Sequence, residues 1–384
     1  MATSPTRSAG PRDVARAPAV AAGLLGLLLL AGLVLLWPRG PLPPGFGETL
    51  AAGHVERAEV LEVRPSDCPQ VPGVPSAEGC GTALVRLRSG PDEGSVAEIP
   101  TTGDVPISGP GELVLVTRPN DVAGPDAPYA LADRLRLGPL LGLAALFAAA
   151  VVALGRLRGL AALTGLAVSL ALLTVFVVPA ILHGRPPVLV AVVGAGVLAM
   201  VVLYLTHGFR PETTTAFLGT LSGLACAAAA AEIWVPLAAL TGSTAEEAIA
   251  LRAAGLEVDL AGLLLAGIVI GALGAIDDVA ITQAAAVAEL ARRDPNATRA
   301  ELRRAGMRLG RAHVGSIVNT LLLAYAGAAL PAFLLLSLSE TSLVIAANQE
   351  LLAAEIVRTL AGSLGLVAAV PVTTRLAART AAPR

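Results

Sequence analysis

Residues 267–289 read GIVIGALGAIDDVAITQAAAVAE and place two adjacent carboxylates inside an otherwise apolar run. At 3.6 residues per helical turn, one face of this segment carries a track of small residues that leads into an acid, while the opposite face carries Leu, Ile and Val. The members of that face are Gly267, Gly271, Gly274, Asp278, Thr282, Ala285 and Glu289. Because small side chains let helix backbones approach closely, Gly267, Gly271 and Gly274 are predicted to pack against a second helix.

The composition of the whole chain extends this apolar character. Its 384 residues are 55% hydrophobic and only 15% charged, and the mean hydropathy is +0.73. A soluble domain cannot bury such a share of apolar residues, so the composition predicts an α-helical polytopic membrane protein whose main partner is the lipid bilayer. The net charge of −2 gives no reason to expect nucleic acid as a partner.

Eight apolar runs predict about eight transmembrane helices, with one β-rich insertion between the first and the second. The predicted segments are a cytoplasmic N-terminal tail (1–18), a first transmembrane helix (19–37), an extracytoplasmic β-rich domain (39–136), a seven-helix transmembrane domain (138–374) and a cytoplasmic C-terminal tail (375–384). The seven helices are expected at 138–154, 159–182, 187–205, 213–240, 260–290, 314–338 and 354–372. Residues 19–37 also resemble a signal peptide, but their length and the lack of a small-x-small site before Pro38 favour an uncleaved anchor.

The arginines support one orientation of these helices. They are concentrated in the segments that this topology places inside, above all between residues 292 and 311. This asymmetry is the one that the positive-inside rule describes. The sequence therefore predicts a multi-pass protein of the bacterial cytoplasmic membrane with both termini in the cytoplasm.

The insertion at 39–136 contains short runs of β-forming residues separated by turn signals. Strands are predicted at 55–63, 83–88, 95–99, 112–118 and 129–132, which suggests a small Greek-key or OB-like barrel. Cys68 and Cys80 flank a loop rich in Pro and Gly, and a disulfide between them fits an extracytoplasmic domain. Two unrelated free thiols are the alternative, and a structural cap is favoured over a ligand-binding role.

The two acids in the opening stretch are the first candidate site. Two neighbouring carboxylates at membrane depth are costly to ionise together, so Asp277 and Asp278 are predicted to bind a proton or a cation. Thr282 lies one turn beyond Asp278 and can hydrogen-bond it, whereas Gln283 points elsewhere on the helical wheel. In the alternative interpretation, one acid pairs with an arginine of the internal loop and the other caps a broken helix. Glu289 is expected to pair with Arg292 and Arg293 at the membrane edge.

A second polar stripe opens the following helix. His313, Ser316 and Thr320 share a face, and Asn319 lies beside it. Antiparallel neighbours joined by a short loop would place this stripe at the depth of the acids, so a shared ion, proton or substrate site is predicted. A histidine at headgroup level and an asparagine that hydrogen-bonds a neighbouring helix are the alternatives.

Enzyme signatures are missing from the sequence. No HExxH, GxSxG, Walker A or GxGxxG-after-strand pattern occurs. We therefore expect no enzyme, no catalytic residue, no bound metal and no cofactor.

Two segments carry distinctive motifs, GALGAIDDVAITQAAAVAEL at 271–290 and RAGMRLGRAHVGSIVNTLLLAYAGAALP at 304–331. Together with RLRSGPDEG and residues 166–195, they resemble the YibE/F family of bacterial multi-pass membrane proteins. The resemblance implies a helical, permease-like membrane protein without naming a substrate. Ala312 stands where the family pattern has an acid before the histidine, which weakens a carboxylate–histidine relay.

Three functions follow from these features. The first is a transporter-like protein with an ion- or proton-linked polar site between the sixth and seventh helices, acting on a small ion or solute and possible as a homo-oligomer. The alternative is a non-transporting membrane assembly or envelope factor whose external domain binds a partner. The third is a membrane-embedded hydrolase, which lacks a second cluster to supply metal ligands.

Overall fold

The computed structural model describes residues 11–40, 54–66, 80–101, 107, 109–118, 129–244, 246–253, 257–338 and 342–381. The chain is mostly helical and divides into two units. One unit comprises residues 44–150, and the other comprises residues 1–43 together with 151–384.

The smaller unit contains a five-stranded antiparallel sheet. Its strands are β1 (His54–Pro65), β2 (Gly81–Leu87), β3 (Val96–Thr101), β4 (Leu113–Arg118) and β5 (Ala130–Arg134), in the order β3-β2-β1-β4-β5. The edge strands β3 and β5 contact each other, so the sheet curls. Alternate residues point inward, as the pattern along β2 and β3 requires, and form an apolar core that includes Val60, Val85 and Ile99. All five predicted strands are confirmed within two residues at each end, and OB-like closure stays a prediction.

The turn between β2 and β3 has the backbone that its glycines permit. Gly90 and Gly94 both have positive φ, at 92° and 90°. A Cβ at Gly90 would collide with the carboxylate of Glu56, a buried side chain of β1. Glycine is therefore required at this position both for the conformation and for the space.

The helices are α1 (Pro11–Leu36), α2 (Leu137–Gly155), α3 (Leu157–Leu172), α4 (Val178–Leu182), α5 (Pro187–His207), α6 (Pro211–Leu237), α7 (Glu246–Ala253), α8 (Leu260–Arg293), α9 (Arg299–Ala328), α10 (Leu330–Leu338), α11 (Leu343–Asn348) and α12 (Glu350–Ala381). A π-helical turn, Leu173–Val177, joins α3 to α4.

Seven helical segments of the described chain are long and apolar enough to cross a membrane. They are Ala17–Leu36, Leu137–Gly155, Leu157–Leu182, Pro187–His207, Pro211–Leu237, Leu260–Arg293 and Glu350–Ala381. The predicted span at 314–338 is not among them, because α9 already begins at Arg299 and the helix is interrupted at Ala329. Pro331 explains the interruption, since it has no N–H to donate to the carbonyl four residues earlier.

The core of the helical unit lies where α5, α6, α8 and α12 pack together. Phe176, Phe217 and Ile276 are fully buried there. Helix α1 packs along α5, with Gly32 against Val193. This arrangement covers one side of the middle of α8 with apolar side chains from three neighbouring helices.

Candidate functional site

The glycine and acid stripe of α8 lies on an exposed face. Every member of the stripe is exposed, from Gly267 to Glu289, so most of the packing predicted for its glycines is not made within the described chain. The opposite face, with Ile268, Ile276 and Val287, is buried. The larger apolar side chains of that face make more van der Waals contacts with the neighbouring helices than glycines would, which favours its packing.

Only one of the three glycines lies against another helix. A Cβ at Gly271 would clash with the Tyr325 hydroxyl of α9. Gly267 and Gly274 have nothing within 4 Å of the place where a Cβ would lie. Within the described part of the chain, a helix contact is therefore made at Gly271, and the packing role of Gly267 and Gly274 stays a prediction.

The two acids have different surroundings. Asp277 is half-buried, and its Oδ1 accepts a hydrogen bond from the Thr220 hydroxyl of α6 at 3.3 Å. Thr220 itself is fully buried. Asp278 and Thr282 are exposed, and no hydrogen bond joins them among the described residues. A single step of about 100° around the helix thus turns Asp277, rather than Asp278, toward the core.

The acids are not held by arginines in the described chain. No ion pair to Asp277 or Asp278 is found there, so the interpretation that one of them pairs with the internal loop gains no support. The predicted pairing of Glu289 is confirmed, with Arg292 and Arg293 each 3.0 Å from its carboxylate. Arg292 also lies 3.4 Å from Glu212 at the start of α6.

Gln283 is a buried polar residue of α8 that lies off the predicted glycine and acid stripe. It is buried, and its amide nitrogen donates to the Gly306 carbonyl at 2.7 Å and to the Thr374 hydroxyl at 2.8 Å. It thereby joins α8, α9 and α12. The signal that could have identified it is a lone amide on the apolar face of a long helix, because such a group needs partners when buried.

The polar stripe of α9 lies at the predicted depth but stays apart from the acids. Gly306 and Gly310 lie against Gln283, and Gly271 lies against Tyr325, so α8 and α9 are antiparallel with Asp277 level with Ser316. The stripe residues His313, Ser316, Asn319 and Thr320 are all exposed. Thr320 donates to the Ser316 carbonyl of its own helix, at 3.1 Å. The shared site predicted between α8 and α9 is therefore not assembled by hydrogen bonds in the described chain.

The close helix contact that the sequence predicts for α8 is found between α6 and α12. The Thr373 side chain occupies the space where a Cβ of Gly219 would lie. A Cβ at Gly223 would lie 2.8 Å from the Gly365 carbonyl and 2.7 Å from Ile276. The signal was present as a small-xxx-small pair, Gly219 and Gly223, which is typical of close membrane-helix contacts.

Buried hydroxyl groups lie on α6 and α12, the two helices that make this close contact. Thr373 and Ser363 of α12 and Thr213 of α6 each have a buried side-chain oxygen without a hydrogen-bond partner in the described chain. Most buried polar atoms in proteins are paired, so such oxygens mark places where water, an ion or a changed conformation completes the bonding.

Charged groups lie near the start of α12. Arg358 pairs with Glu355 at 2.9 Å and lies 5.8 Å from the centre of the Tyr325 ring. The Glu350 carboxylate accepts hydrogen bonds from the Thr241 and Gly242 backbone nitrogens, at 2.6 and 2.7 Å. These contacts tie the loop after α6 to the first turn of α12.

The cysteines are of two kinds. Cys80 is disulfide-bonded, which contradicts the alternative of two free thiols, and Cys68 lies outside the described residues, so its place as the partner stays a prediction. Cys226 of α6 is a free thiol. The described residues contain no group of three or more His, Cys, Asp or Glu side chains that could hold a metal ion.

Comparison with known protein families gives a match that spans the candidate site. The family model described as YibE/F-like protein matches residues 143–383, which include α8, α9 and α12. A search of curated proteins and a search of solved structures gave no match. Since the family match extends over more than half of the 384 residues, the chain belongs to the YibE/F-like family.

Proposed function

We propose that this chain is a transporter-like protein of the cytoplasmic membrane in which Asp277 binds a proton or a small cation. The observation that carries the proposal is the contact between Asp277 and the buried Thr220 hydroxyl, at 3.3 Å. The proposed site therefore lies where α6 contacts α8, and not between α8 and α9 as the sequence predicts.

The position of Asp277 supports a functional role. It lies at the midpoint of the 34-residue helix α8, which is apolar enough to cross a membrane. A carboxylate at such a depth costs about 2.5–3.5 kcal/mol when charged, and this cost is offset by a proton, a cation or a basic partner. Because the described residues supply no basic partner, a mobile proton or cation is the better counterpart.

Polar groups on both sides of Asp277 support a path for that ion. Toward the Glu212 end, a cavity of about 100 Å³ lies between α6, α8 and α12 and is lined by Thr215 and Thr380 among others. Toward the opposite end lie Ser363 and the Arg358–Glu355 pair. In an apolar bundle, polar and charged side chains of this kind are the ones that bind an ion in turn as it moves along a path.

The membrane location and the orientation belong to the same proposal. Seven apolar helices support a multi-pass protein. The arginine distribution favours cytoplasmic termini and an external sheet domain. Two cytoplasmic termini require an even number of crossings, so the proposal includes an eighth crossing by α9 and α10, of which α9 runs antiparallel to α8.

A second copy of the chain is the partner that we propose for the exposed face of α8 and α9. Asp278 and Asn319 are exposed on that face. Polar and ionisable side chains at membrane depth rarely face lipid, so a homo-oligomer would cover them. We expect neither an enzymatic activity nor a cofactor.

Flux measurements in vesicles test the function. Purified wild-type protein is reconstituted and screened against pools of small ions and solutes, with and without an imposed proton gradient. We expect uptake or efflux that depends on the gradient, and we expect Asp277→Asn to reduce it to the level of protein-free vesicles. Asp278→Asn is the matched control, because it removes an adjacent acid that lacks the Thr220 contact and should keep most of the flux.

Two outcomes would reject the proposal. Wild-type flux equal to that of protein-free vesicles in every pool would favour the assembly or envelope factor instead. Gradient-dependent flux that Asp277→Asn leaves unchanged would keep a transporter but exclude Asp277 as its ion site.

A further inference from the structure

An apolar groove runs between α1 and α5. Its volume is about 780 Å³, and Thr214 at the start of α6 also lines it. The lining includes Gly23, Leu27, Leu30, Met200 and Leu205. Gly23 has nothing within 4 Å of the place where a Cβ would lie, so the absence of a side chain there widens the groove.

The length of the groove matches one leaflet of a bilayer. Gly26 lies against Met200 and Gly32 against Val193, so α1 and α5 are antiparallel. The lining on α1 extends from Ala19 to Leu30, which is about 17 Å at 1.5 Å per residue. Since the hydrocarbon core is about 30 Å thick, this distance corresponds to roughly half a bilayer, the depth that one acyl chain occupies.

Aromatic side chains line the groove where α5 ends. Phe209 is 90% exposed and stacks on Tyr204, with ring centres 4.9 Å apart. The Tyr204 hydroxyl donates to Thr214 at 3.2 Å, and Thr214 in turn donates to the Arg210 carbonyl. Tyrosine, whose ring is amphipathic, is enriched at the level of lipid headgroups.

The same end carries basic side chains that are not neutralised. Arg158 and Arg210 are exposed, and both lie close enough to His207 for their charges to act on its ring. Neither arginine has an ion pair among the described residues. The nearest acid in sequence, Glu212, faces Arg292 at 3.4 Å and lines a different cavity.

We infer that this groove binds an anionic phospholipid, with one acyl chain between α1 and α5 and the phosphate at Arg158 and Arg210. The apolar walls match a hydrocarbon chain, and the two free guanidinium groups match a phosphate, which arginine binds well. The inference rests on the proposed membrane location, and it is independent of transport and of Asp277.

Native mass spectrometry of the purified full-length protein in detergent tests the inference. The protein is titrated with phosphatidylglycerol, with phosphatidylcholine of the same chains, and with glycerol phosphate, which has the charge without the chains. We expect phosphatidylglycerol to bind best and glycerol phosphate not to bind at the same concentrations. Each of Arg158→Gln and Arg210→Gln should weaken phosphatidylglycerol binding about fivefold, because each arginine contributes about 1 kcal/mol to attraction of an anionic headgroup.

Gly23→Leu tests the acyl-chain half separately. A Cβ at this position meets nothing within 4 Å, and the leucine side chain would occupy the groove, so binding of both phospholipids should fall while the fold is kept. Gly142→Leu in α2, where a Cβ also meets nothing within 4 Å, and Arg303→Gln in α9 are the matched controls and should leave binding unchanged.

Three results would overturn the inference. They are equal binding of the two phospholipids, equal binding of glycerol phosphate, and wild-type affinity in the arginine variants and in Gly23→Leu alike. If Gly23→Leu does not fold, the arginine variants still decide the question, because their side chains lie on the surface.

Discussion

At the scale of single residues, the position of a side chain around α8 determines its role. Asp277 and Asp278 are adjacent in sequence, yet only Asp277 has a hydrogen-bond partner on α6. Gln283, six residues further on, shares the inward side and binds α9 and α12. The inward polar side chains of α8 therefore have different partners, Asp277 on α6 and Gln283 on α9 and α12.

Replacing Gln283 by Leu should destabilise the helical unit. The variant loses two hydrogen bonds in the bundle interior, and we expect a cost of about 1–2 kcal/mol in the free energy of unfolding. Thr282→Ala, next to it but exposed, should change stability by less than about 0.5 kcal/mol. Unfolding in mixed detergent, followed by circular dichroism, measures both. Equal stability of Gln283→Leu and wild type would show that the amide contributes nothing to association.

At the scale of helices, two sets of glycines offer a direct comparison. Gly219→Ala and Gly223→Ala place a methyl group against α12 or α8 and should cost about 1–3 kcal/mol, as overpacking does. Gly267→Ala and Gly274→Ala meet nothing within 4 Å and should be neutral or stabilise by about 0.5–1 kcal/mol, because alanine favours a helix over glycine. The same unfolding assay ranks the four variants. A large cost at Gly274 would mean that another chain covers this face.

The first turn of α9 should respond to pH. The Glu301 carboxylate accepts hydrogen bonds from the backbone nitrogen and the hydroxyl of Thr298, at 2.8 and 2.7 Å, and these bonds lower its pKa below the ordinary value of 4.5. Because the pKa is lowered by folding, the stabilisation is complete above the ordinary value and is lost as the pH falls through the lowered one. Amide hydrogen exchange of residues 301–303 should therefore quicken, relative to Glu301→Gln, as the pH is lowered through roughly 6 to 3. A constant ratio of the two exchange rates would contradict this expectation.

The helices and strands themselves were predictable, and their contacts were less so. Apolar runs give the bounds of α5 and α8 within a few residues, because a helix long enough for a membrane has a strong signal. The wheel of α8 separates two faces correctly but does not say which face its neighbours cover, and this choice depends on α6 and α12, which are distant in sequence. The Thr220–Asp277 contact joins residues 57 positions apart. Gly219 and Gly223 form the small-xxx-small pair that indicates close packing. The prediction names the glycines of α8 instead, because two acids follow them.

At the scale of the whole chain, the sheet unit has a core of its own. Buried apolar residues from all its described strands except β5 form one cluster, which includes Ala58, Leu87 and Val116. A domain with its own core folds alone in many proteins.

An isolated fragment of residues 44–136 should therefore fold. We expect a β-type circular dichroism spectrum and one cooperative thermal transition, which Val114→Asp should abolish, because Val114 is fully buried. Thiol labelling before and after reduction tests the Cys68–Cys80 disulfide in the same sample. A fragment without a cooperative transition would show that the sheet depends on the rest of the chain.

The links between α6 and α12 have a consequence for motion. The two helices touch backbone to backbone at Gly223 and Gly365, and Glu350 fastens the loop after α6 to the start of α12. Attachment at two separated points opposes both sliding and hinging of α6 against α12. In the proposed transporter, a movement that exposes Asp277 to one side of the membrane and then to the other would therefore displace α8 relative to this pair of helices.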